Sequence, residues 1–250
     1  AVTCFRPGDL VTGVLSTCIA DYNVAANAQM IKIPETSKPI DACLGEPMMC
    51  VANIVRAVEP KMGDRVAVIG CGFMGLMVIA GLKSRALGDI VAIDLDEKRL
   101  EMAVQYGATK TINPKNVDVE DVSFELTHGR MYDCIVEITG SLRGLQTALS
   151  VAKISGRGKI LAPSVYSKNE TWTEEMAYNM MYRSPIIHVV HPYYTNEYMH
   201  TLEIGVEAYV KGVFPTEELI THRIPFERVD EGFRLLDTNP PGYIKGIITF

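Results

Sequence analysis

The first part of the chain carries short apolar runs separated by Gly and Asn, a pattern typical of β-strands. A Pro, Ser and Thr segment at 34–39 indicates a linker. Glu46 followed by Pro47 then opens a run of apolar residues at helical spacing that ends near Pro60. The three predicted strands span 9–14, 22–26 and 30–33.

From residue 65 onward, short apolar runs alternate with amphipathic helical patterns, which predicts parallel strands joined by helices. We expect an α/β fold with a doubly wound parallel sheet. The predicted strands span 66–69, 90–93, 110–112, 134–138, 159–162 and 186–190, with a terminal strand at 246–250. The predicted helices span 76–86, 97–106, 119–127, 142–151, 195–210 and 227–236.

Composition and charge exclude several classes of protein. The 250 residues are 48% hydrophobic, which argues against global disorder. With a net charge of -6 and no Lys or Arg run longer than two residues, the chain lacks a basic patch, so we expect neither nucleic acid nor a membrane as a partner. Scattered cysteines without a C-x-x-C pair are typical of reduced thiols, and we expect a soluble cytoplasmic protein.

A G-x-G-x-x-G motif follows the first strand of the alternating region and opens a helix. In this context Gly70 permits a tight turn, Gly72 lets the backbone approach a pyrophosphate, and Gly75 lets helix and strand pack closely. The helix N-terminus favours an anion. Candidate cofactor-binding residues in this loop are Gly70, Gly72, Phe73 and Gly75.

An acidic residue closes the next predicted strand, which is the second part of a dinucleotide-binding pattern. Asp94 lies 19 residues after Gly75, close to the expected spacing of about 20. A carboxylate there accepts hydrogen bonds from the ribose and repels a 2′-phosphate, so we favour NAD over NADP, although Lys98 and Arg99 nearby weaken that discrimination. The alternative is a glycine turn that binds another adenosine ligand, such as S-adenosylmethionine, or none.

The ordered set of motifs resembles the medium-chain dehydrogenase/reductase superfamily, in its zinc-type alcohol and polyol dehydrogenase branch, with sorbitol and threonine dehydrogenases as the most similar members. This resemblance implies a Rossmann nucleotide domain and a partial chaperonin-like β catalytic domain. The similar segments are 5–11, 28–34, 44–47, 94–108, 132–140, 219–226 and 245–250.

The resemblance implies NAD-dependent oxidation of an alcohol in which zinc binds the substrate hydroxyl. Glu46 would be a zinc ligand or lie one water away, and Cys50, one helical turn on, would face the nicotinamide. Met74 would pack against the other side of the ring. The adenosine contacts would be Asp94 and Arg99, with Thr139 near the adenine and backbone groups around Ala162 holding the carboxamide.

Departures from the family pattern leave alternatives open. The other catalytic zinc ligands of the family lie upstream of the segment at which this chain begins, so we expect the sequence to lack an N-terminal segment. Cys18 alone occurs where the family has four structural-zinc cysteines, so we expect no structural zinc here. Without the resemblance, Glu46 beside Pro47 is a common first-turn residue favoured by the helix dipole.

Three functions are compatible with these residues. The leading one is a zinc-assisted NAD-dependent dehydrogenase of a polyol-like or secondary alcohol, acting on a small alcohol or ketone. The others are a zinc-independent NADH-dependent reductase of the same superfamily and a non-catalytic dinucleotide-binding module. Tyr193 and Tyr194 are candidates for a substrate cleft, or are ordinary loop aromatics.

Domain organisation and assembly follow from the same resemblance. Residues 1–45 and 192–250 form the predicted, incomplete catalytic domain, and residues 46–191 form the predicted nucleotide-binding domain. A homo-oligomer, a dimer or tetramer that pairs through the strand at 186–190, is the expectation that the resemblance implies.

Overall fold

The computed structural model describes residues 4–15, 19–154, 157–191 and 197–250. The chain divides into two compact units. The smaller unit comprises Ala1–Ala52 and Pro192–Phe250, and the larger unit comprises Asn53–His191. Cys18, Tyr193 and Tyr194, which the sequence suggested as candidates, lie outside the described residues.

The strands of the described residues are short and mostly parallel. In chain order they are β1 (Val11–Gly13), β2 (Met30–Lys32), β3 (Arg65–Ile69), β4 (Asp89–Ile93), β5 (Lys110–Ile112), β6 (Cys134–Glu137), β7 (Lys159–Ala162), β8 (Ile186–Val189), β9 (His222–Pro225) and β10 (Gly246–Thr249).

The helices of the described residues lie between these strands. They are α1 (Gly45–Val58), α2 (Phe73–Leu82), α3 (Glu97–Tyr106), α4 (Val119–Leu126), α5 (Leu142–Val151), α6 (Glu174–Arg183), α7 (Tyr198–Val210), α8 (Thr216–Leu219) and α9 (Val229–Thr238). Short 3₁₀ helices cover Asn27–Gln29, Ile40–Ala42 and Phe226–Arg228.

The larger unit is built on a parallel sheet of six described strands in the order β5-β4-β3-β6-β7-β8. Within this unit the chain starts at β3 in the middle of the sheet and runs outward through β4 and β5. It then returns to the other side of β3 with β6 and continues outward through β7 and β8. This is the doubly wound topology that the alternating pattern predicted. Apart from Arg65 at the start of β3 and Glu137 at the end of β6, the two central strands are apolar on both faces because helices cover both. Ala67 and Ile135, paired across β3 and β6, are both fully buried.

Side-chain caps fix where most helices of the larger unit begin. Asp96, Asp118, Ser141 and Thr173 each accept a hydrogen bond from a backbone N–H in the first turn of α3, α4, α5 and α6. Such caps satisfy donors that a helix N-terminus leaves free. Helix α2 differs, because its N-cap is Gly72, which has no side chain to offer.

The smaller unit contains two short strand pairs. β1 and β2 pair antiparallel, and β9 and β10 pair parallel. Helix α7 packs closely on α1, because a Cβ added at Gly205 would lie 2.7 Å from the Met48 backbone. Thr12 links β1 to the start of α1 by donating to the Cys43 carbonyl at 2.9 Å and accepting from the Gly45 N–H at 3.0 Å.

Most predicted elements are confirmed, but the strand predicted at 22–26 is wrong. That segment is irregular, with Tyr22 and Val24 93% and 94% exposed. Apolar residues with no buried face to occupy gain nothing from strand pairing, which is why the pattern misled. Helix α6 and strand β9 were not predicted as elements, and the described residues contain no helix long and apolar enough to span a membrane.

Candidate functional site

The centre of the larger sheet is the point at which the strand order reverses. β3 and β6 are neighbours there, and their chains leave toward opposite sides of the sheet. In open parallel sheets, ligands bind outside the carboxyl ends of the strands at such a point. The loops after β3 and β6 are therefore the first place to look for a site.

The glycine loop after β3 is shaped by two close backbone approaches. Gly70 has φ +98°, in the left-handed region, and a Cβ there would lie 3.0 Å from Thr139 Cγ2. A Cβ on Gly75 would lie 1.9 Å from the Gly70 carbonyl oxygen. Both positions thus exclude a side chain, and the loop, the start of α2 and the loop after β6 lie against one another.

Gly72 is different, because a Cβ there would meet no atom within 4 Å. Its φ of -73° suits any residue. Its carbonyl accepts the Leu76 N–H at 2.9 Å, which starts α2. A glycine that the protein does not need for packing leaves open space over the helix N-terminus, where an anion is stabilised by N–H groups and the helix dipole.

Asp94 joins the end of β4 to this loop. Its Oδ2 accepts from the Cys71 N–H at 2.6 Å and its Oδ1 accepts from the Asp96 N–H at 2.9 Å. A carboxylate has about four acceptor positions, so these two bonds leave capacity for further donors. The structure therefore brings Asp94 to the glycine loop, as the sequence pattern indicated.

Opposite charges lie near the buried thiol of Cys71. Burial raises its pKa well above the ordinary value, the charge of Asp94 raises it further, and the charge of Arg99 opposes the shift. Arg99 on α3 is therefore within electrostatic reach of the same loop. The Cys71 thiol stays protonated and acts as a small apolar group.

Thr139 is held by a residue that the sequence analysis missed. Glu137, the last residue of β6, is fully buried and accepts from the Thr139 N–H at 2.8 Å and from the Thr139 hydroxyl at 2.5 Å. Its other oxygen accepts from the Tyr166 hydroxyl at 2.5 Å. A charged residue inside an otherwise apolar strand was the available signal.

The remaining predicted cofactor residues lie around the same loops. Phe73, the first residue of α2, is buried, and Met74 is half-buried. Ala162 ends β7 with a buried side chain, and its carbonyl accepts from the Val190 N–H at 3.4 Å.

In the smaller unit, Glu46 and Cys50 lie one turn apart on α1. The Cys50 thiol donates to Glu46 Oε1 at 3.2 Å. Burial, and then the charge of Glu46, raises the pKa of Cys50 well above its ordinary range, so the thiol keeps its proton. Lys245 lies within electrostatic reach of Glu46. Burial lowers the pKa of Lys245, and the charge of Glu46 opposes that shift.

Catalytic zinc sites take three protein ligands. Across residues 4–15, 19–154, 157–191 and 197–250, no three His, Cys, Asp or Glu side chains form a group that could hold a metal ion. Glu46 and Cys50 alone therefore do not complete a zinc site.

Comparison with known proteins places this arrangement in context. The family model described as zinc-binding dehydrogenase matches residues 74–203. The chain is 30% identical over 232 residues to an L-threonine 3-dehydrogenase of Bacillus licheniformis, covering 91% of this chain and 64% of that relative. It is 28% identical over 224 residues to alcohol dehydrogenase 1 of Pisum sativum, covering 87% of this chain and 57% of the relative.

Solved structures show the same fold. The crystal structure of 2R,3R-butanediol dehydrogenase from Bacillus subtilis superposes with a TM-score of 0.71 at 26% identity, covering 89% of this chain and 61% of that one. The chain thus spans less than two thirds of the length of the relatives that it matches.

Proposed function

The chain belongs to the zinc-binding dehydrogenase family, and we propose that it transfers hydride between a polyol-like or secondary alcohol and NAD. The observation that carries the proposal is the glycine loop after β3, with Asp94 bonded to its Cys71 N–H at 2.6 Å. Threonine, alcohol and butanediol dehydrogenases among the matched proteins support the substrate class.

The residues of the larger unit fit a dinucleotide. The uncapped N-terminus of α2 beside Gly72 would take the pyrophosphate, and the spare acceptor capacity of Asp94 would take the ribose hydroxyls. Thr139 would lie near the adenine, and Ala162 near the carboxamide. When bound, the nicotinamide ring accepts or donates the hydride.

The preference for NAD over NADP rests on the charge of Asp94. Its carboxylate would repel the 2′-phosphate of NADP. Two backbone N–H groups donate to Asp94 and hold the carboxylate in this position. Arg99 reduces the preference without reversing it, because the guanidinium sits on the following helix and the carboxylate contacts the loop itself.

We also propose that Glu46 is a ligand of a catalytic zinc ion. The described residues do not form a complete metal site, so no step of the reaction is assigned to the metal. Cys50 and Met74 stay proposed as contacts of the nicotinamide, on the resemblance alone. The proton on Cys50 makes its role there one of shape and hydrogen bonding.

A homo-oligomer, a dimer or tetramer, is also proposed. Strand β8 forms one end of the sheet, and its side chains are exposed, with Val189 72% exposed. An apolar edge strand offers unpaired backbone groups to a second copy. We propose neither nucleic acid nor a membrane as a partner, and we propose that the protein acts in the cytoplasm.

The proposed function is tested by incubating the full chain with NAD and a panel of secondary alcohols and polyols, with zinc or with a chelator. NADH formation that the chelator abolishes supports the proposal. In a parallel incubation with NADH and the corresponding ketones, reduction that the chelator leaves unchanged supports the zinc-independent reductase. Saturable NADH binding without turnover supports the non-catalytic module.

A further inference from the structure

Glu137 is a fully buried carboxylate that the proposed chemistry does not use. It ends β6, one of the two central strands of the larger unit. Burying a carboxylate is costly unless donors replace its water. An apolar residue at this strand end would avoid that cost, so the charge points to a role other than packing.

The donors that satisfy Glu137 come from two different loops. Thr139, in the loop after β6, donates its N–H and its hydroxyl to Oε1 at 2.8 Å and 2.5 Å. Tyr166, in the segment after β7, donates its hydroxyl to Oε2 at 2.5 Å. One carboxylate therefore ties together the loops that follow two neighbouring strands.

The first turn of α5 completes the surroundings of the carboxylate. A Cβ on Gly144 would lie 2.5 Å from Glu137 Oε1, so the helix N-terminus lies directly against the negative charge and stabilises it through the helix dipole. Ser141 caps the same helix by accepting the Gly144 N–H at 3.1 Å, and its own N–H donates to the Thr139 hydroxyl at 3.1 Å.

The network reaches the glycine loop through Thr139. Its Cγ2 lies 3.0 Å from the position of a Cβ on Gly70. A shift of Thr139 would therefore move the wall against which the glycine loop turns. Both ends of the network, Thr139 and Tyr166, lie at the carboxyl ends of the strands, where a ligand binds in this topology.

We propose that Glu137 is a positioning residue for the dinucleotide: it holds Thr139 and Tyr166 so that the loops after β6 and β7 have their binding conformation before the ligand arrives. This inference rests on the proposed function, since it requires that these loops and the glycine loop bind NADH. Rigid walls lower the ordering cost of binding, so their loss weakens affinity without removing a direct contact. Burial, and then the Glu137 carboxylate, raise the pKa of Tyr166 above its ordinary value, so its hydroxyl stays a donor at neutral pH.

The test compares two tyrosines of the same unit in the full chain. Tyr166→Phe removes one donor to Glu137. Tyr132→Phe is the control, because Tyr132, which is fully buried where Tyr166 is half-buried, also donates its hydroxyl to one side chain, Ser123 Oγ at 3.1 Å, and lies before the other end of β6. We expect the Kd for NADH to rise about tenfold in Tyr166→Phe and to stay unchanged in Tyr132→Phe.

Glu137 itself supplies a graded comparison. Glu137→Gln keeps an oxygen for Thr139, whereas Glu137→Ala removes both acceptors. We expect the Kd for NADH to increase in the order wild type, Glu137→Gln, Glu137→Ala. Equal losses for Gln and Ala, or none in either, would contradict positioning through these hydrogen bonds.

A measurement without cofactor separates the ordering of the loops from the binding of NADH. Amide hydrogen exchange at Thr139 in the free protein is expected to be about tenfold faster in Tyr166→Phe than in Tyr132→Phe. If the wild type binds NADH but both tyrosine variants match it in Kd and exchange, the inference is wrong and the proposed function stands. If the wild type binds no NADH, the proposed function fails and the inference fails with it.

Discussion

A methyl group is expected to act differently at two glycines three residues apart. Gly72→Ala meets open space, so the free energy of unfolding should fall by no more than about 1 kcal/mol while NADH binding weakens at least tenfold. Gly75→Ala places its Cβ 1.9 Å from the Gly70 oxygen, so the free energy of unfolding should fall by about 2–3 kcal/mol. Urea titration and NADH titration of both variants check this, and equal stability losses would contradict the loop geometry.

Asp94 offers a second prediction for a single residue. Asp94→Ala removes the acceptor of the Cys71 N–H and the proposed ribose contact, so the Kd for NADH should rise at least tenfold and the preference over NADPH should shrink. Asp118→Ala is the control, since it removes a helix cap of similar cost, about 1 kcal/mol, away from the loop. Calorimetric titration with both cofactors measures the result, and an unchanged NADH affinity in Asp94→Ala would argue against the assignment.

The sequence predicted this loop in detail because the demands on it are local. Gly70 is required by its own positive φ and Gly75 by the approach of the Gly70 carbonyl five residues earlier, and Asp94 follows at the end of the next strand. Glu137 and Tyr166 were missed because their contact joins residues 29 apart in the chain. Spacing rules describe one element at a time and do not show which loops meet.

At the scale of elements, the start of β6 is anchored by Asp133. It accepts from the Arg65 N–H on β3 at 2.9 Å and from Lys153 after α5 at 2.5 Å. Burial raises the pKa of Asp133, but these hydrogen bonds and the positive charges outweigh it, so the pKa lies below its ordinary 3.8. The pairing therefore stabilises the fold above that pH and is lost as the pH falls through the lowered value.

Asp133→Asn should lower the free energy of unfolding by about 1 kcal/mol at neutral pH. The difference from wild type should narrow as the pH falls below 3.8. Asp230→Asn, in the exposed pair with Arg234, is expected to change little at either pH. Urea titrations across this range provide the measurement, and a gap that widens in acid would contradict the sign of the shift.

Strands and helices could be predicted from the sequence where a buried face imposes a regular spacing of apolar residues. The alternating strands and helices of the larger sheet follow from apolar runs that fill its core, as with Glu97–Tyr106 and Leu142–Val151, whose bounds are as predicted. The strand expected at 22–26 failed because Tyr22 and Val24 face solvent. Strand β9 (His222–Pro225) went unpredicted because its four residues carry no apolar pattern: Ile224 alone is buried, between the exposed Arg223 and Pro225.

For the whole molecule, the exposed edge at β8 yields a prediction about assembly. A second copy pairing there would bury Ile187 and Val189, so Val189→Lys should shift the protein toward monomer. Sedimentation at several concentrations measures this, with Val165→Lys as the control, since Val165 is equally apolar and 91% exposed but lies outside the strand. Dissociation of both variants, or of neither, would oppose assembly through β8.

Binding of NAD at the loops after β3 and β6, where the strand order reverses, is tested most directly by titrating the full chain calorimetrically with NADH and with NADPH. We predict one saturable site per chain, with NADH bound at least several-fold more tightly because of Asp94. Tighter binding of NADPH, or no saturable binding of either cofactor, would contradict the account.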